Sequence, residues 1–369
     1  MSFSSVDHDA MARALALAEQ GLNTTTPNPR VGCVLMRDGV IVGEGWHRRA
    51  GEPHAEVLAL SQAGEAARGA TAYITLEPCS HFGRTPPCAD ALIDAGIDRV
   101  VVALEDPNPL VAGRGLARLR AHGIDTVLGL LADEARELNI GFIARMNRGR
   151  PWVRLKTAAT LDGKTALENG MSQWLTSSAA RADGHRWRAR ACAILTGIGT
   201  VEADDPQLTV RDTACERQPL RIVVDSRLEL ERLSGARILQ GAPILIITAN
   251  DATDSIDRFV RLGHRVLALP DGHGKVDLVA LMTELARLEL NEIHVEAGAR
   301  LNGALLQADL VDELLLYYAP MVVGHHARGM FDLSAPMQPA LTHLDAAIRY
   351  ELRDVDRVGD DLRIIARRR

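Results

Sequence analysis

No apolar run in the 369 residues reaches the roughly 20 that a bilayer-spanning helix needs. The opening stretch MSFSSVDHDA lacks the charged-then-apolar layout of a secretory signal. Cysteine is scarce. The five present (Cys33, Cys79, Cys88, Cys192 and Cys215) are an odd number, which argues against a disulfide framework and for metal binding or plain burial. An excess of positive charge is missing too. The formal net charge is −6, and no basic face stands out, which speaks against a nucleic-acid binder. There is no internal repeat and no low-complexity tract. These absences leave a soluble, cytoplasmic protein with no membrane and no nucleic acid among its partners.

What is present is core-forming material. Hydrophobic residues make up 47% of the chain, and its length favours two domains over one. Residues 7–20 place Met11, Leu15 and Ala18 on one helical face, and Gly21 stops the helix. Val31, Cys33 and Leu35 alternate as a strand, and Asp38-Gly39 turns it into VIVGEGW as a hairpin. A helix opens near His54. AYITL (72–76) is a strand, CADALIDAG (88–96) a helix and RVVVAL (99–104) a buried strand. A helix at 115–122 and a strand at 125–128 complete a three-layer α/β/α unit. ARMNRGRPW (144–152) is basic, holds Gly and Pro and lacks periodicity, so the boundary falls there, giving domains 1–148 and 149–369. Beyond it, WVRLKTAATLDG, CAILTGIGT, LRIVVDS, APILIITA, RVLALP and EIHVEAG read as strands of a mostly parallel sheet with flanking helices, and DELLLYYAPMVVG as more strand.

The chemistry concentrates around HAEVLAL (54–60). His54 and Glu56 stand at a helix start, and TLEPCSHFGRTPPC follows with Cys79 and Cys88. One His and two Cys make a three-ligand zinc set that leaves a fourth tetrahedral position for water. Cys79 follows Pro78, Cys88 follows Pro86-Pro87, and both His54 and Cys88 sit where helices begin, so helix N-termini favour thiolate. Residues two apart do not share a helix face. At a first turn, however, Glu56 can reach the same cavity as His54 and move protons without ligating, the layout of zinc deaminases. Each feature alone has a plain alternative: a cap, a solvated carboxylate, a buried thiol. Together they point to metal. His81 is a rival ligand by chemistry, but two residues past Cys79 in an extended stretch it points away. The eight residues between the cysteines depart from the usual two, so a loop separates these ligands.

TPNPRVGCVL, GWHRRAGEPHAE, TLEPCSHFGRTPPC and EDPNPLVAGRG strongly resemble the bifunctional riboflavin-biosynthesis deaminase–reductases, as do LKTAATLDGKTA, SQWLTS, ADDPQLTVR and VEAGARLNGALL. The resemblance covers nearly the whole chain. It implies a cytidine-deaminase-like domain followed by a dihydrofolate-reductase-like α/β domain. The first would hydrolyse an amino group from 2,5-diamino-6-(5-phosphoribosylamino)pyrimidin-4(3H)-one. The second would use NADPH to reduce the ribosyl group of the resulting aminouracil to ribityl. By position, one Zn2+ per chain would be held by His54, Cys79 and Cys88, with Glu56 as the proton shuttle. Asn28, His47, Arg84, Asp106 and Asn108 would hold the pyrimidine and its ribose phosphate, although Asn28, Asp106 and Asn108 also read as turn residues beside prolines. Ala158, Trp174, Thr200, Asp204, Ser226 and Gly298, Ala299, Arg300, Leu301, Asn302, Gly303 and Ala304 would line the NADPH site. Lys156, Ser172, Arg188, Leu208, Arg211 and Glu296 would contact the second substrate. A homo-oligomer, dimer or tetramer, is expected.

Direct reading of the second half is thinner. TGIGT does not complete a dinucleotide fingerprint. EAGARLNGALL is a strand, a turn at Gly298 and a helix, which can cradle a pyrophosphate or be an ordinary turn. RADGHRWRAR, which carries Arg188, reads alone as a solvated basic helix. Lys156 projects from a strand end, and no residue is an obvious proton donor. Two rival readings remain: a nucleic-acid base deaminase with a non-catalytic assembly domain, and a C-terminal half that has lost its reductase.

Overall fold

The computed structural model describes residues 3–80, 87–109, 111–334 and 342–369. The chain divides into two compact units, Met1–Gly149 and Arg150–Arg369.

The first unit runs α1 (Ser5–Glu19), β1 (Gly32–Arg37), β2 (Val40–Trp46), α2 (Ala55–Ala63), β3 (Thr71–Ile74), α3 (Cys88–Asp94), β4 (Arg99–Val102), α4 (Arg114–Ala121), β5 (Asp125–Leu128), α5 (Ala132–Leu138) and α6 (Ile140–Arg148). Its five-stranded sheet has the order β2-β1-β3-β4-β5. Asp38 and Gly39 both take positive φ, which closes the β1–β2 hairpin with Arg37 opposite Val40. β1 is buried on both faces. Cys33 and Leu35 pack under α2, α3 and α4, and Val34 under α1 and α5, giving three layers. Close approach is built into the sequence: a Cβ on Gly32 would lie 1.9 Å from the Ala14 carbonyl oxygen of α1. Residues 144–148 differ from expectation. They are not an aperiodic linker but the end of α6, whose Phe142 and Ala144 are buried. Gly149, at φ 65°, ends that helix.

The second unit runs β6 (Trp152–Thr160), β7 (Lys164–Ala166), α7 (Ser178–Arg190), β8 (Ala193–Gly197), α8 (Ile198–Asp204), β9 (Leu220–Val224), β10 (Leu245–Thr248), α9 (Thr253–Arg261), β11 (Arg265–Ala268), α10 (Leu278–Arg287), β12 (Glu292–Val295), α11 (Ala299–Gln307), β13 (Glu313–Ala319), β14 (Arg328–Gly329), β15 (Tyr350–Val358) and β16 (Asp361–Arg368). The nine-stranded sheet is ordered β11-β10-β9-β8-β12-β6-β13-β16-β15. It is parallel from β11 to β13, with β16 and β15 added antiparallel. One face is covered by α10 and α11, the other by α7, α8 and α9. Arg154 is buried in the centre, held by Glu313 and Glu292 and lying 4.4 Å from the Trp187 ring centroid. Arg367 and Arg190 complete the charge balance on the two glutamates. Lys156 is in the middle of β6, not at its end. β13 pairs with β6 all the way to Thr160, whereas β12 stops pairing at Leu155. The sheet therefore opens on one side of Lys156.

Candidate functional site: a metal centre and a charged cleft

In the first unit, the reactive side chains gather where β3, α2 and α3 meet. His54 precedes α2 in an extended conformation (φ −72°, ψ 163°), so its ring leaves the chain before the helix begins. Its Nδ1 lies 3.2 Å from Cys88 Sγ and 3.7 Å from Cys79 Sγ. All three ligand atoms fall within 4.8 Å of one another, and no other such His/Cys/Asp/Glu group occurs among the described residues. Tetrahedral zinc with its usual bond lengths sets sulfur–nitrogen edges of about 3.6 Å, so this donor set fits the ion in both chemistry and span. The first N–H of α3, on Cys88, donates to Cys79 Sγ at 3.3 Å. Hydrogen bonding from the Cys88 thiol, with help from His54, pulls the Cys79 thiol well below its ordinary range. Cys79 is thus primed as thiolate, the form a metal takes.

Glu56 is 3% exposed, and its Oε2 has no hydrogen-bond partner among the described residues. Burial pushes its pKa up, against the pull of His54. Beside it the His47 ring stands edge-on to His54, centroids 5.3 Å apart. His47 Nδ1 faces the Pro53 carbonyl at 3.2 Å, so Nδ1 carries the proton. Nε2 then accepts from Asn28 Nδ2 at 3.0 Å. Burial lowers the His47 pKa and keeps the ring neutral. Asp106 is buried and accepts from the Asn108 N–H at 2.8 Å, which orders the turn after β4. Arg84 and the rival ligand His81 lie outside the described residues. Cys33 and Cys192 are core residues, and Cys215 donates to the Arg217 carbonyl. Glu77, unmarked in the sequence reading, ties this region together, and the only signal for it is a charged residue ending a buried strand.

In the second unit, a cleft opens where β12 leaves β6. It is lined by Lys156, Ala158, Thr200, Asp204, Glu296, Ala299 and Asn302, with Thr157, Thr165, Ala297 and Met330, which the sequence does not single out. Arg188 grips Glu296 with two hydrogen bonds of 2.5 and 2.9 Å. This overturns the reading of its helix as simply solvated: Asp183, Gly184, His185 and Ala189 of α7 are buried. Lys156 Nζ stands 3.9 Å from Glu296. Burial lowers the Lys156 ammonium, against the attraction of Glu296. Glu296, despite burial, is held well below the usual carboxylate range by Arg188 and Lys156. Leu208 is buried with φ 51°. Arg211 is anchored by Gln207 and Thr209, and burial, then the charges of Arg188 and Arg237, lower its pKa.

The cofactor candidates divide. Thr200 and Asp204 belong to α8, and Ser172 Oγ donates to Asp204 at 3.1 Å. Gly298 caps α11, is exposed, and accepts the Asn302 N–H on its carbonyl at 3.1 Å. Buried Asn302 leaves its Oδ1 without a partner among the described residues, on the wall of the cleft. An orphaned acceptor beside a helix start fits a polar cofactor such as NADPH. Gly303 has a packing reason of its own, since a Cβ there would lie 1.8 Å from the Asp332 carbonyl oxygen. Leu301 packs on the core, and Arg300 is exposed. Trp174 is 69% exposed with Arg181 stacked on it. Ser226 Oγ accepts from the Val276 N–H.

A mixed sheet with a buried glutamate over a His–Cys–Cys centre defines a zinc-type deaminase, and the nine-stranded unit with its charged cleft a separate nucleotide-dependent enzyme. Known proteins bear on both halves. The profile "Cytidine and deoxycytidylate deaminase zinc-binding region" matches residues 4–104, and "RibD C-terminal domain" matches residues 151–363. The chain is 50% identical to riboflavin biosynthesis protein RibD of Escherichia coli, over 96% of this chain and 98% of that one. It is 41% identical to RibD of Aquifex aeolicus, over 98% and 99%. Acinetobacter baumannii RibD superposes with a TM-score of 0.88 at 42% identity, covering 99% of both chains. A Thermotoga maritima protein described as a diaminohydroxyphosphoribosylaminopyrimidine deaminase/5-amino-6-(5-phosphoribosylamino)uracil reductase does so at 0.86 and 32%, also covering 99% of both. The chain belongs to the RibD family of bifunctional riboflavin-biosynthesis enzymes, with a zinc-binding deaminase domain and an NADPH-dependent reductase domain. The rival reading, a nucleic-acid base deaminase with an idle second half, is not favoured. No helix among the described residues is long and apolar enough to cross a membrane.

Proposed function

We propose that residues 1–148 hydrolyse the ring amine of 2,5-diamino-6-(5-phosphoribosylamino)pyrimidin-4(3H)-one, and that residues 149–369 reduce the ribosyl group of the resulting 5-amino-6-(5-phosphoribosylamino)uracil. The observation that carries the first reaction is Glu56, a buried carboxyl with a free oxygen among His54, Cys79 and Cys88. Those three residues would hold zinc, which when bound supplies a Lewis acid that activates water. Glu56 takes the water proton and delivers it to the leaving amine. The neutral His47 fixes the Asn28 amide, whose carbonyl oxygen then faces outward to accept from the pyrimidine. Asp106 and Asn108 hold the sugar and ring from the loop after β4, and Arg84 is assigned to the phosphate.

In the second reaction NADPH supplies the hydride. Arg211 suits the substrate phosphate, and Arg188, held by Glu296 and the Thr209 carbonyl, adds positive charge on the substrate side. Lys156 sits at the cleft floor, where its ammonium can donate to a ribose oxygen, with Glu296 holding it in place. Ser172, Leu208 and Glu296 complete the substrate wall. Ala158, Trp174, Thr200, Asp204, Ser226 and residues 298–304 surround the cofactor. The protein works in the cytoplasm as a homo-oligomer, without nucleic acid, and light scattering should return a multiple of the 40.0 kDa chain mass.

The test is metal analysis with mass spectrometry of the product. One zinc per chain is expected. Without NADPH the deaminated nucleotide should accumulate, and with it the ribityl product. Cys79→Ser should lose metal and deamination together, and a fully metallated, active variant would refute the ligand set.

A further inference from the structure

Glu77 lies two residues before Cys79 and is buried, yet no described Lys, Arg or His stands at ion-pair distance from it. Its charge is met by four backbone N–H groups. Oε1 accepts from Gly115 at 2.8 Å and Leu116 at 3.1 Å, and Oε2 accepts from Gly113 at 2.9 Å and Asp106 at 3.2 Å. Gly115 and Leu116 are in the first turn of α4, whose partial positive charge favours a carboxylate there. The other two donors bracket the loop 105–113. Glu77 also donates its own N–H to the Leu104 carbonyl at 2.9 Å, at the root of that loop. The fit is tight, since a Cβ on Gly115 would lie 2.1 Å from the Pro78 carbonyl oxygen. One side chain therefore joins the segment leading into Cys79 to both ends of the loop that carries Asp106 and Asn108.

We propose that Glu77 is a positioning residue of the deaminase: it sets the loop 105–113, and with it Asp106 and Asn108, against the metal-ligating segment. This rests on the reading of Asp106 and Asn108 as substrate contacts. Glu77 touches no reacting atom, so its effect should fall on substrate binding and not on the chemical step. In Glu77→Gln the volume is kept, but one acceptor becomes an NH2 donor facing two N–H donors. The α4 end is clamped by the Gly115–Pro78 contact, so the loop end should give way.

The full-length protein is assayed with the diaminopyrimidine nucleotide, zinc content is measured, and reductase turnover of the deaminated nucleotide serves as an internal control. For Glu77→Gln, KM should rise about ten- to a hundredfold, the scale of buried donors left unsatisfied. The kcat should stay within about threefold, with zinc and reductase turnover unchanged. Glu77→Asp, which keeps the charge but falls short by a methylene, should show the same split more weakly. Unchanged KM, a fall confined to kcat, or loss of zinc would each overturn the proposal. So would failure of both variants to fold, which would make Glu77 a folding residue only. If the wild-type protein itself does not deaminate this nucleotide, the substrate reading fails, and that result is distinct from any Glu77 outcome.

Discussion

At the scale of single residues, burial decides what a carboxyl can do. Glu56 and Asp7 are both buried acids, but burial wins at Glu56 and hydrogen-bonding partners win at Asp7. Glu56 has an unpaired oxygen and a raised pKa, the condition of a group that exchanges protons. Glu56→Gln keeps the shape and cannot carry the proton. Deamination should fall about 100- to 10,000-fold, with zinc retained and reductase turnover of the deaminated nucleotide intact, as read by metal analysis and NADPH oxidation. Normal deamination in that variant would reduce Glu56 to a helix-start carboxylate. Asp7 has a full set of partners: Ser4 N–H and Oγ, Tyr73 Oη and Arg99 Nη1, all at 2.7–2.9 Å. Burial alone would raise its pKa, but these partners hold it at about 2, below the ordinary 3.8. A depressed carboxyl contributes stability that is complete above its unfolded pKa and is lost as pH falls through the folded one. Asp7→Asn should therefore lower the calorimetric Tm of the first unit at neutral pH. The gap to wild type should close between about pH 4 and pH 2, and a gap independent of pH would contradict the assignment.

Elements differ in how plainly the sequence announces them. The Asp38-Gly39 hairpin, α4 and the parallel strands of the second unit are legible because turn chemistry and apolar runs are local signals. α5 and α6 are not: Leu131 and Gly149 mark their ends through positive φ, which a leucine does not advertise. The strand WVRLKTAATLDG is legible too, but the place of Lys156 within it is not, because pairing with β13 carries β6 on to Thr160. The two sites follow the same rule. His54, Cys79 and Cys88 are readable because few jobs other than metal need those types beside prolines. The cleft is assembled from β6, α8, β12 and α11, with Ala158, Thr157 and Ala297 in its wall, residues that carry no chemical signature of their own. There the glycines of α11 have distinct reasons. Gly303→Ala forces a Cβ against the Asp332 carbonyl, and overpacking of this kind costs about 1–3 kcal/mol. It should lower the Tm of the second unit and weaken NADPH binding in a titration by shifting α11, while deamination is unaffected. Unchanged affinity would separate the packing of Gly303 from the cofactor.

At the scale of the molecule, each unit has its own sheet and its own core, so each reaction has its own foundation. The proposed metal ligands His54 and Cys88 sit at helix starts in the first unit. The second unit places its chemistry elsewhere: Lys156 and Ala158 are on β6, which is flanked by β12 and β13 and lies deep within the nine-stranded order. Backbone amides in the part of β6 that is paired on both sides, up to Leu155, are released from their hydrogen bonds only when the whole sheet opens. They should be among the last in the second unit to exchange with deuterium, and urea should abolish reduction only as that unit unfolds. Activity lost at urea concentrations well below unfolding would show that the cleft loosens independently of β6. A floor of this kind has a cost in adaptability: the backbone beneath Lys156 stays put, so under the proposed roles acceptance of a differently shaped sugar falls to side-chain rotamers and to the loops and helix ends around the cleft.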